Sequence, residues 1–225
     1  IKALQHIGAI LLFLLLSFVY FSPAFSGKVL QQSDVHQFEG MSPELSEYYH
    51  KEGVASAWTG SMFSGMPAYL IGIWGDSPNL IDYVEKPLKA LGNTTAGPVF
   101  AGMLMAYILF MVIGFGFIPS VLGAIAYSLS SYNIVILEAG HITKAWAIAY
   151  MPLVVAGLLV MFRKKYLLGG LLMALGLCLQ IKNNHLQVTY YTGILCLVLY
   201  LGFVVKMVLG KDLKGLFKAS GILAI

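Results

Sequence analysis

Long apolar runs with almost no charge recur along this sequence. Six of them are close to the ~20 residues that cross ~30 Å of hydrocarbon, at positions 5–21, 98–115, 119–137, 145–162, 166–181 and 189–208. Charged residues make up only 11% of the chain, whereas soluble domains carry about a quarter. So few charges cannot cover a water-soluble surface. We therefore predict an all-α fold, a polytopic transmembrane helix bundle.

A seventh apolar run starts near Leu216 and reaches the last residue, so about six to seven spans are expected. The pattern divides the chain into a first transmembrane helix at 1–21, a loop at 22–97, and transmembrane helices two to seven at 98–225. Because the chain starts at Ile1 and stops within an apolar run, we expect it to be a fragment of a longer protein. The first run is expected to be a retained anchor and not a cleaved signal peptide.

The distribution of charge predicts an orientation. Positions 22–97 hold four lysines and eight acids, a net charge of −4, whereas the remainder holds ten basic residues and two acids, a net charge of +8. An even number of spans separates the three basic groups, which are Lys2, the run 163–165, and the lysines at 206, 211, 214 and 218. Positive residues mark the cytoplasmic side. The N-terminus should then be cytoplasmic and the loop 22–97 extracytoplasmic.

The loop 22–97 carries two helix patterns. A short polar helix should begin at Ser42-Pro43-Glu44, because serine caps, proline fits the first turn and an acid favours the N-terminus. Ser77-Pro78 should open a second, interfacial helix. Its apolar face would comprise Leu80, Val84, Leu88 and Leu91, opposite Asp82, Glu85 and Lys89. Between the two patterns lies an aromatic and methionine-rich stretch that is expected at the membrane interface, comprising Trp58, Met62, Phe63, Met66, Tyr69 and Trp74.

Three polar clusters could carry chemistry. The first is Asp34, shortly after the first span, where a carboxylate can act as a general base or bind a metal. The second holds Glu138, His141 and Lys144 at a span boundary, where ionisable residues usually face a polar cavity or a partner. The third comes after the fifth span and includes Lys182, Asn184, His185, Gln187, Tyr190 and Tyr191.

Each cluster can also be explained as an ordinary polar loop. Their joint placement is more informative, because the orientation predicted from the basic residues puts all three on the extracytoplasmic side. We therefore expect Asp34, Glu138, His141, Lys144, Asn184 and His185 to converge on one cavity. The histidines have no metal-ligand spacing, so no metal site is predicted from them.

Several motifs resemble the YfhO family of bacterial membrane proteins when read in order. They are Tyr20-Phe21-Ser22-Pro23, then Gly27-Lys28 with Asp34, then Trp58-Thr59-Gly60-Ser61-Met62-Phe63-Ser64-Gly65-Met66-Pro67-Ala68-Tyr69, then Gly140-His141-Ile142-Thr143-Lys144, and finally Asn184-His185-Leu186-Gln187-Val188-Thr189-Tyr190-Tyr191. The matches span most of this chain. They look like the N-terminal third or less of such a protein.

The resemblance implies a GT-C-like fold in a bacterial cytoplasmic membrane. It also implies a glycosyltransferase that moves a sugar from a polyprenyl-phosphate donor to a cell-surface polymer or glycan. Asp34 matches the catalytic acid of the first outer loop and would be the general base. Many such enzymes carry a paired acidic motif there, but Asp34 has no adjacent acid. No cofactor is implied by the resemblance, and a divalent cation remains an open alternative.

Roles for the other site residues are inferred from their chemistry. Phosphate leaving groups need positive charge or hydrogen-bond donors, which His141, Lys144 and Lys182 offer. Asn184, His185 and Gln187 would bind substrate with Glu138, and Tyr190, Tyr191 or Trp58 would stack on a sugar face. Two other functions stay open: a transporter or channel, and a non-catalytic membrane module that assembles a partner. Nucleic acid is not expected as a partner, because the basic residues lie in short gaps between apolar runs.

Overall fold

The computed structural model describes residues 2–72 and 79–223, and nearly all of its regular structure is α-helical. The first half of the chain forms α1 Lys2–Tyr20, α2 Ser22–Phe25, α3 Ser33–Met41, α4 Pro43–Glu52 and α5 Asp82–Lys89. The second half forms α6 Ala96–Ile113, α7 Phe117–Ser128, α8 Ser131–Ala139, α9 Ile142–Phe162, α10 Tyr166–Lys182, α11 Leu186–Leu209 and α12 Leu213–Leu223.

Five helical segments are long and apolar enough to cross a membrane: α1, α6, the α7–α8 pair, α9 and α11. The chain is therefore a helical bundle with the character of a multi-pass membrane protein, as predicted. α10 has 17 residues and is the shorter apolar helix of the set. α12 covers only 11 residues of the seventh apolar run. The number of crossings stays a prediction.

The third apolar run is broken into two helices, α7 and α8. Ser128 lies at the break, and its hydroxyl donates a 2.6 Å hydrogen bond to the Val99 carbonyl of α6. The Asn133 side chain donates to the Tyr127 carbonyl at 2.8 Å, and the Tyr127 hydroxyl donates to the Ile148 carbonyl at 2.8 Å. Backbone groups freed by a helix break in a bilayer need such partners. Ser128 and Tyr127 therefore join this broken run to α6 and α9.

Glycines bring α9 and α10 into close antiparallel contact. A Cβ on Gly157 would lie 2.4 Å from the Met173 nitrogen, and one on Gly169 would lie 2.4 Å from the Met161 nitrogen. Near the other end, a Cβ on Gly176 would lie 2.8 Å from the Val154 side chain. Small residues at helix contacts are a common way to pack helices in membranes. α9 is consequently the central, most buried helix of the bundle.

The loop between α1 and α6 holds α3, α4 and a two-stranded hairpin. α4 begins at Pro43 after Ser42, which confirms the first predicted loop helix. β1 Trp58–Thr59 pairs antiparallel with β2 Met66–Pro67. The Glu44 carboxylate ties the hairpin to α4 by accepting a 2.5 Å hydrogen bond from the Thr59 hydroxyl. The predicted helix start at Ser77-Pro78 and the side chain of Trp74 lie outside the described residues.

The second loop helix turns part of its charged face toward the bundle. Leu80 and Val84 are exposed, whereas Glu85, on the opposite, charged face, is only 2% exposed. Leu88 and Leu91 do pack against the apolar core of the bundle. The carboxylate of Glu85 is buried because Lys89, Lys182 and Asn183 surround it. Periodicity alone assigns every charge to water, and it cannot show that two lysines offset the desolvation of an acid.

Candidate functional site

The two ends of the helix bundle differ in chemistry. At one end, here called the loop end, the α3 to α5 segment meets the start of α9 and the α10–α11 connection. At the other, here called the basic end, the Arg163 guanidinium donates to the Ile113 carbonyl at 3.1 Å, and the Lys164 ammonium lies 2.8 Å from the Asp212 carboxylate. The three polar clusters predicted to converge all belong to the loop end.

Asp34 is held against the turn between α8 and α9. The Gln32 amide donates to the Leu137 carbonyl, and the Ser33 hydroxyl donates to the Ala139 carbonyl at 3.3 Å. Gly140 adopts a left-handed conformation, with φ of +96°, and ends α8. A Cβ at Gly140 would lie 3.3 Å from the Asp34 Cβ. Glycine at this position therefore allows both the turn and the close approach of the Asp34 segment.

Asp34 and His141 form a pair across this turn. The Asp34 Oδ2 lies 2.8 Å from the His141 Nδ1. Asp34 is in the first turn of α3 and His141 is the residue immediately before α9. Both side chains are partly exposed, with 35% of Asp34 and 49% of His141 accessible. A carboxylate hydrogen-bonded to an imidazole, open to solvent, can exchange a proton with a bound molecule.

His185 joins the pair from the α10–α11 connection. Its Nδ1 lies 3.3 Å from the Thr143 hydroxyl, and Thr143 is within one helical turn of both His141 and Lys144. Burial lowers the pKa of His185, and the neighbouring Lys144 and His141 lower it further. The neutral form of the His185 imidazole is therefore favoured.

Two buried polar atoms near this connection lack hydrogen-bond partners among the described residues. They are the His185 Nε2 and the Thr189 Oγ1, one turn apart along the chain. Buried polar atoms nearly always have a partner in the protein or in ordered water. The two atoms therefore offer hydrogen bonds to a small molecule or to water at the loop end.

A cavity of about 430 Å³ opens at Lys144 and Gln187, and its lining does not include Asp34, His141, Asn184 or His185, which were predicted to converge on one cavity. Its volume lies within the range of small-molecule sites, about 300–1,000 Å³. Lys144 is its one charged lining residue, and its ammonium lies 5.5 Å from the centroid of the Tyr132 ring. The remaining lining is mostly aromatic, amide or apolar, and it comprises Tyr127, Ser130, Tyr132, Asn133, Ile148, Met151, Gln187, Val188 and Tyr191. The break between α7 and α8 contributes one wall.

The other predicted site residues differ in whether they line the cavity. The Gln187 amide lines the cavity and donates to the Tyr191 hydroxyl at 3.2 Å. Tyr190 is exposed and its ring lies 5.9 Å from that of Tyr191. The Asn184 amide donates to the Tyr69 carbonyl at 3.4 Å, which joins the loop between α1 and α6 to the α10–α11 connection.

Glu138 and Trp58 stay apart from the cavity. Glu138 is exposed, and in the described part of the chain no ion pair engages it. Trp58 packs over Gly65 in the hairpin, where a glycine Cβ would lie 2.6 Å from the indole nitrogen. No hydrogen bond within residues 2–72 and 79–223 joins the Trp58 side chain to Asp34 or His141. Their predicted roles in substrate binding remain predictions.

Sequence reasoning missed a second charged group at the loop end. Glu85 Oε2 lies 3.2 Å from the Lys182 ammonium, Glu85 Oε1 lies 3.1 Å from the Lys89 ammonium, and the Asn183 amide donates to Glu85 Oε1 at 2.6 Å. Lys182 also pairs with Asp82. Lys182 was predicted to stabilise a phosphate, but both of its partners are carboxylates of α5. The local sequence of this loop helix gave no sign that it would fold back on the bundle.

No group of three or more histidine, cysteine, aspartate or glutamate side chains is placed to hold a metal ion within the described ranges. The Asp34–His141 pair alone is too few ligands for a structural or catalytic zinc site.

No protein-family model matches the chain, and neither a curated protein nor a solved structure is significantly similar to it.

Proposed function

We propose that the chain belongs to a membrane glycosyltransferase of the GT-C type, related to the YfhO family, which uses a polyprenyl-phosphate sugar as donor. One observation carries the proposal: His141, which pairs with Asp34, comes just before α9, and Lys144 in the first turn of α9 is the charged residue that lines the cavity. A proton acceptor next to a cation is what transfer from a phosphate ester requires. The acceptor would be a hydroxyl of a cell-surface polymer or glycan.

Lys144 would bind the phosphate of the donor. Its ammonium can stabilise the negative charge that develops on the departing phosphate. The neutral His185 can donate or accept a hydrogen bond without adding charge, and the amide of Gln187 can do the same. Tyr191 and Tyr132 line the same cavity and offer aromatic faces to a sugar ring.

The polyprenyl tail would run along the seam between α9 and α11. Below the first cavity along both helices lies a second, apolar one of about 260 Å³, lined in part by Val154, Leu158, Cys196 and Tyr200. Lys144 to Leu158 spans about 21 Å along the helix axis at 1.5 Å per residue. That length covers roughly two thirds of a hydrocarbon core. A phosphate held at Lys144 could therefore extend an apolar tail into the bilayer.

The site would face the extracytoplasmic side of a bacterial cytoplasmic membrane. The basic residues between α9 and α10 and after α11 favour this orientation, because they lie at the opposite end of the bundle. A cysteine placed at the exposed Glu138 would react with a membrane-impermeant maleimide in intact cells, and one placed at Lys165 would react only after permeabilisation. The reverse pattern would refute the orientation and the assigned face.

Sugar transfer is tested with the complete protein in proteoliposomes and a panel of radiolabelled polyprenyl-phosphate sugars. The wild type should transfer label from one of these donors to cell-envelope acceptors. Asp34→Asn should abolish transfer and leave expression intact, whereas Glu39→Gln, an exposed carboxylate on the same helix, should not change it. Full transfer by Asp34→Asn, or no consumption of any donor by the wild type, would refute the proposal.

A transporter is the second candidate, and the break between α7 and α8 is the observation that favours it. Interrupted helices line substrate sites in many transporters, and this break lines the 430 Å³ cavity. Against it, the charge in the cavity lies at the loop end and not at the bilayer midplane. Accumulation of a labelled solute in proteoliposomes without consumption of lipid-linked sugar would favour transport.

A further inference from the structure

We infer that His141 accepts the proton of the acceptor hydroxyl and that Asp34 is the positioning residue that orients its imidazole. The inference rests on the proposed sugar transfer and deepens it. Sequence reasoning gave the general-base role to Asp34 because of its place in the first outer loop. The geometry of the pair assigns the two residues different tasks.

The Asp34 carboxylate and the His141 imidazole differ in whether they keep an atom free to bind a substrate. The Asp34 Oδ2 is engaged by the His141 Nδ1 at 2.8 Å, and the Asp34 Oδ1 lies 3.4 Å from the Ser33 hydroxyl. The His141 Nε2 has no hydrogen-bond partner in the protein among the described residues. His141 is also the more exposed partner, at 49% against 35%. A substrate approaching from solvent therefore meets the imidazole more readily than the carboxylate.

A carboxylate bound to one imidazole nitrogen fixes the tautomer. When the carboxylate accepts the Nδ1–H, the Nε2 carries the lone pair and can act as a base. The carboxylate then stabilises the imidazolium that forms. Asp34 is itself held by three features of its segment, which are the bonds from Gln32 and Ser33 to the α8–α9 turn and the close fit at Gly140. The Asp34 carboxylate is thus held in place by contacts of its segment with the end of α8 and with Gly140.

The position of His141 suits proton transfer next to the phosphate site. It directly precedes α9, and Lys144 lies one turn later on the same helix and lines the cavity. An acceptor hydroxyl at the Nε2 would attack a sugar whose phosphate is bound at Lys144. The other histidine close to Lys144, His185, is less suited, because its Nε2 is buried.

Atoms and electrons balance in this step. The acceptor O–H bond breaks and its proton moves to the His141 Nε2. The acceptor oxygen uses the released electron pair to bond to the anomeric carbon. The bond between that carbon and the phosphate oxygen breaks, and polyprenyl phosphate leaves with the pair of electrons. The imidazolium, stabilised by Asp34, then loses its proton to water.

Chemical rescue tests the base. His141→Ala should lower the rate of sugar transfer by about 100-fold or more, and added imidazole should restore it in a concentration-dependent manner. Imidazole should not restore Asp34→Asn, in which the histidine still occupies the site. His36→Ala is the matched control, because His36 forms a similar exposed pair with Glu39 at 3.4 Å, and it should transfer at the wild-type rate. A folded His141→Ala protein that keeps wild-type activity, or that imidazole does not restore, would overturn the inference.

The tautomer provides a measurement that needs no sugar. Nitrogen-15 resonance of labelled histidine at alkaline pH, assigned by comparison with His141→Asn, should show a proton on Nδ1 and none on Nε2. Asp34→Asn should change that tautomer. A bare Nδ1 in the wild type would overturn the inference whether or not transfer is observed. Failure of the wild type to use any lipid-linked sugar would instead refute the proposed function, so the two failures are distinguishable.

Discussion

The Glu85 carboxylate, on the loop helix α5, lies 3.2 Å from the Lys182 ammonium at the end of α10. Glu85 is 2% exposed and receives a second ammonium from Lys89 and an amide from Asn183. The contact joins two segments that are far apart in the sequence. It fixes α5, and with it the loop between α1 and α6, on the loop end of the helix bundle.

Glu85→Ala should lower the free energy of unfolding by about 1.5–3 kcal/mol, because it removes the carboxylate that binds Lys89 and the buried Asn183 amide, while Lys182 keeps Asp82 as a partner. Thermal unfolding in detergent measures the change. Lys86→Ala is the control, since the Lys86 ammonium is 73% exposed and 4.0 Å from Asp82, and such surface pairs contribute about 0–1 kcal/mol. Equal effects of the two substitutions would show that the Glu85 cluster does not hold α5.

Gly140→Ala should separate Asp34 from His141. The new methyl group would meet the Gln32 Cβ at 3.0 Å and the Val35 nitrogen at 3.2 Å, in a backbone with φ of +96°. Gly114→Ala is the matched control, because Gly114 has φ of +106° and open space around it. Left-handed strain should cost both variants about 1–2 kcal/mol.

Overpacking should cost Gly140→Ala about 1–3 kcal/mol more than the control. Thermal unfolding gives the difference between the two variants, and the nitrogen-15 spectrum of His141 reports the broken pair. A His141 spectrum unchanged from the wild type in Gly140→Ala would contradict the close fit described at this turn.

Gly157→Ala should force α9 and α10 apart. Its Cβ would lie 2.4 Å from the Met173 nitrogen and 2.7 Å from the Met173 Cα, and backbone atoms cannot move aside as a flexible side chain can. The expected cost is about 1–3 kcal/mol, measured as a lower unfolding temperature. Gly202→Ala, in α11 with nothing nearby, should be neutral or stabilise by up to about 1 kcal/mol. Two neutral variants would argue against the close contact.

The hairpin 58–67 should loosen in acid. Hydrogen bonds from the Thr59 hydroxyl, and next from the Gly60 amide, hold the pKa of the Glu44 carboxyl below its ordinary value of 4.5. A carboxyl whose pKa is depressed in the folded state contributes stability above its unfolded pKa and loses it as pH falls through the folded pKa. Fluorine-labelled Trp58 should therefore report a change in environment below about pH 4.5.

Glu44→Gln should show the loosened hairpin at neutral pH and no further change in acid. Glu47→Gln provides the control, because Glu47 is an exposed acid of the same helix without a hydrogen bond to the hairpin. A Trp58 signal that titrates identically in Glu44→Gln and in the wild type would assign the acid response to another group.

Much of the bundle could be predicted, because length and polarity decide whether a segment can cross a bilayer. The apolar runs became α1, α6, α7–α8, α9, α10 and α11 with ends displaced by a few residues. The meeting of Asp34 and His141 at one end was also predictable from counting spans. Their hydrogen bond was not, because it depends on the left-handed turn at Gly140 and on the side-chain bonds of Gln32 and Ser33.

The packing of α5 against the end of α10 could not be predicted, for a different reason. Helical periodicity assigns each residue to a face by its own polarity, without regard to partners elsewhere in the chain. Glu85 lies inside because of partners on α10, in a part of the sequence that the local pattern does not include. The sequence prediction paired Lys182 with the phosphate of a substrate, whereas its partners in the structure are the Asp82 and Glu85 carboxylates.

The turn at Gly140 also constrains how this chain can vary in length. One residue inserted between Ala139 and Ile142 would lengthen this turn and displace His141 from Asp34, while the apolar pattern of α9 stayed unchanged. A hydropathy profile of the sequence would not reveal the effect of this insertion. By contrast, the irregular stretch 54–57 between α4 and β1 leads to no such helix. Among homologous chains, insertions and deletions should therefore be common in the outer loop and absent at the α8–α9 junction.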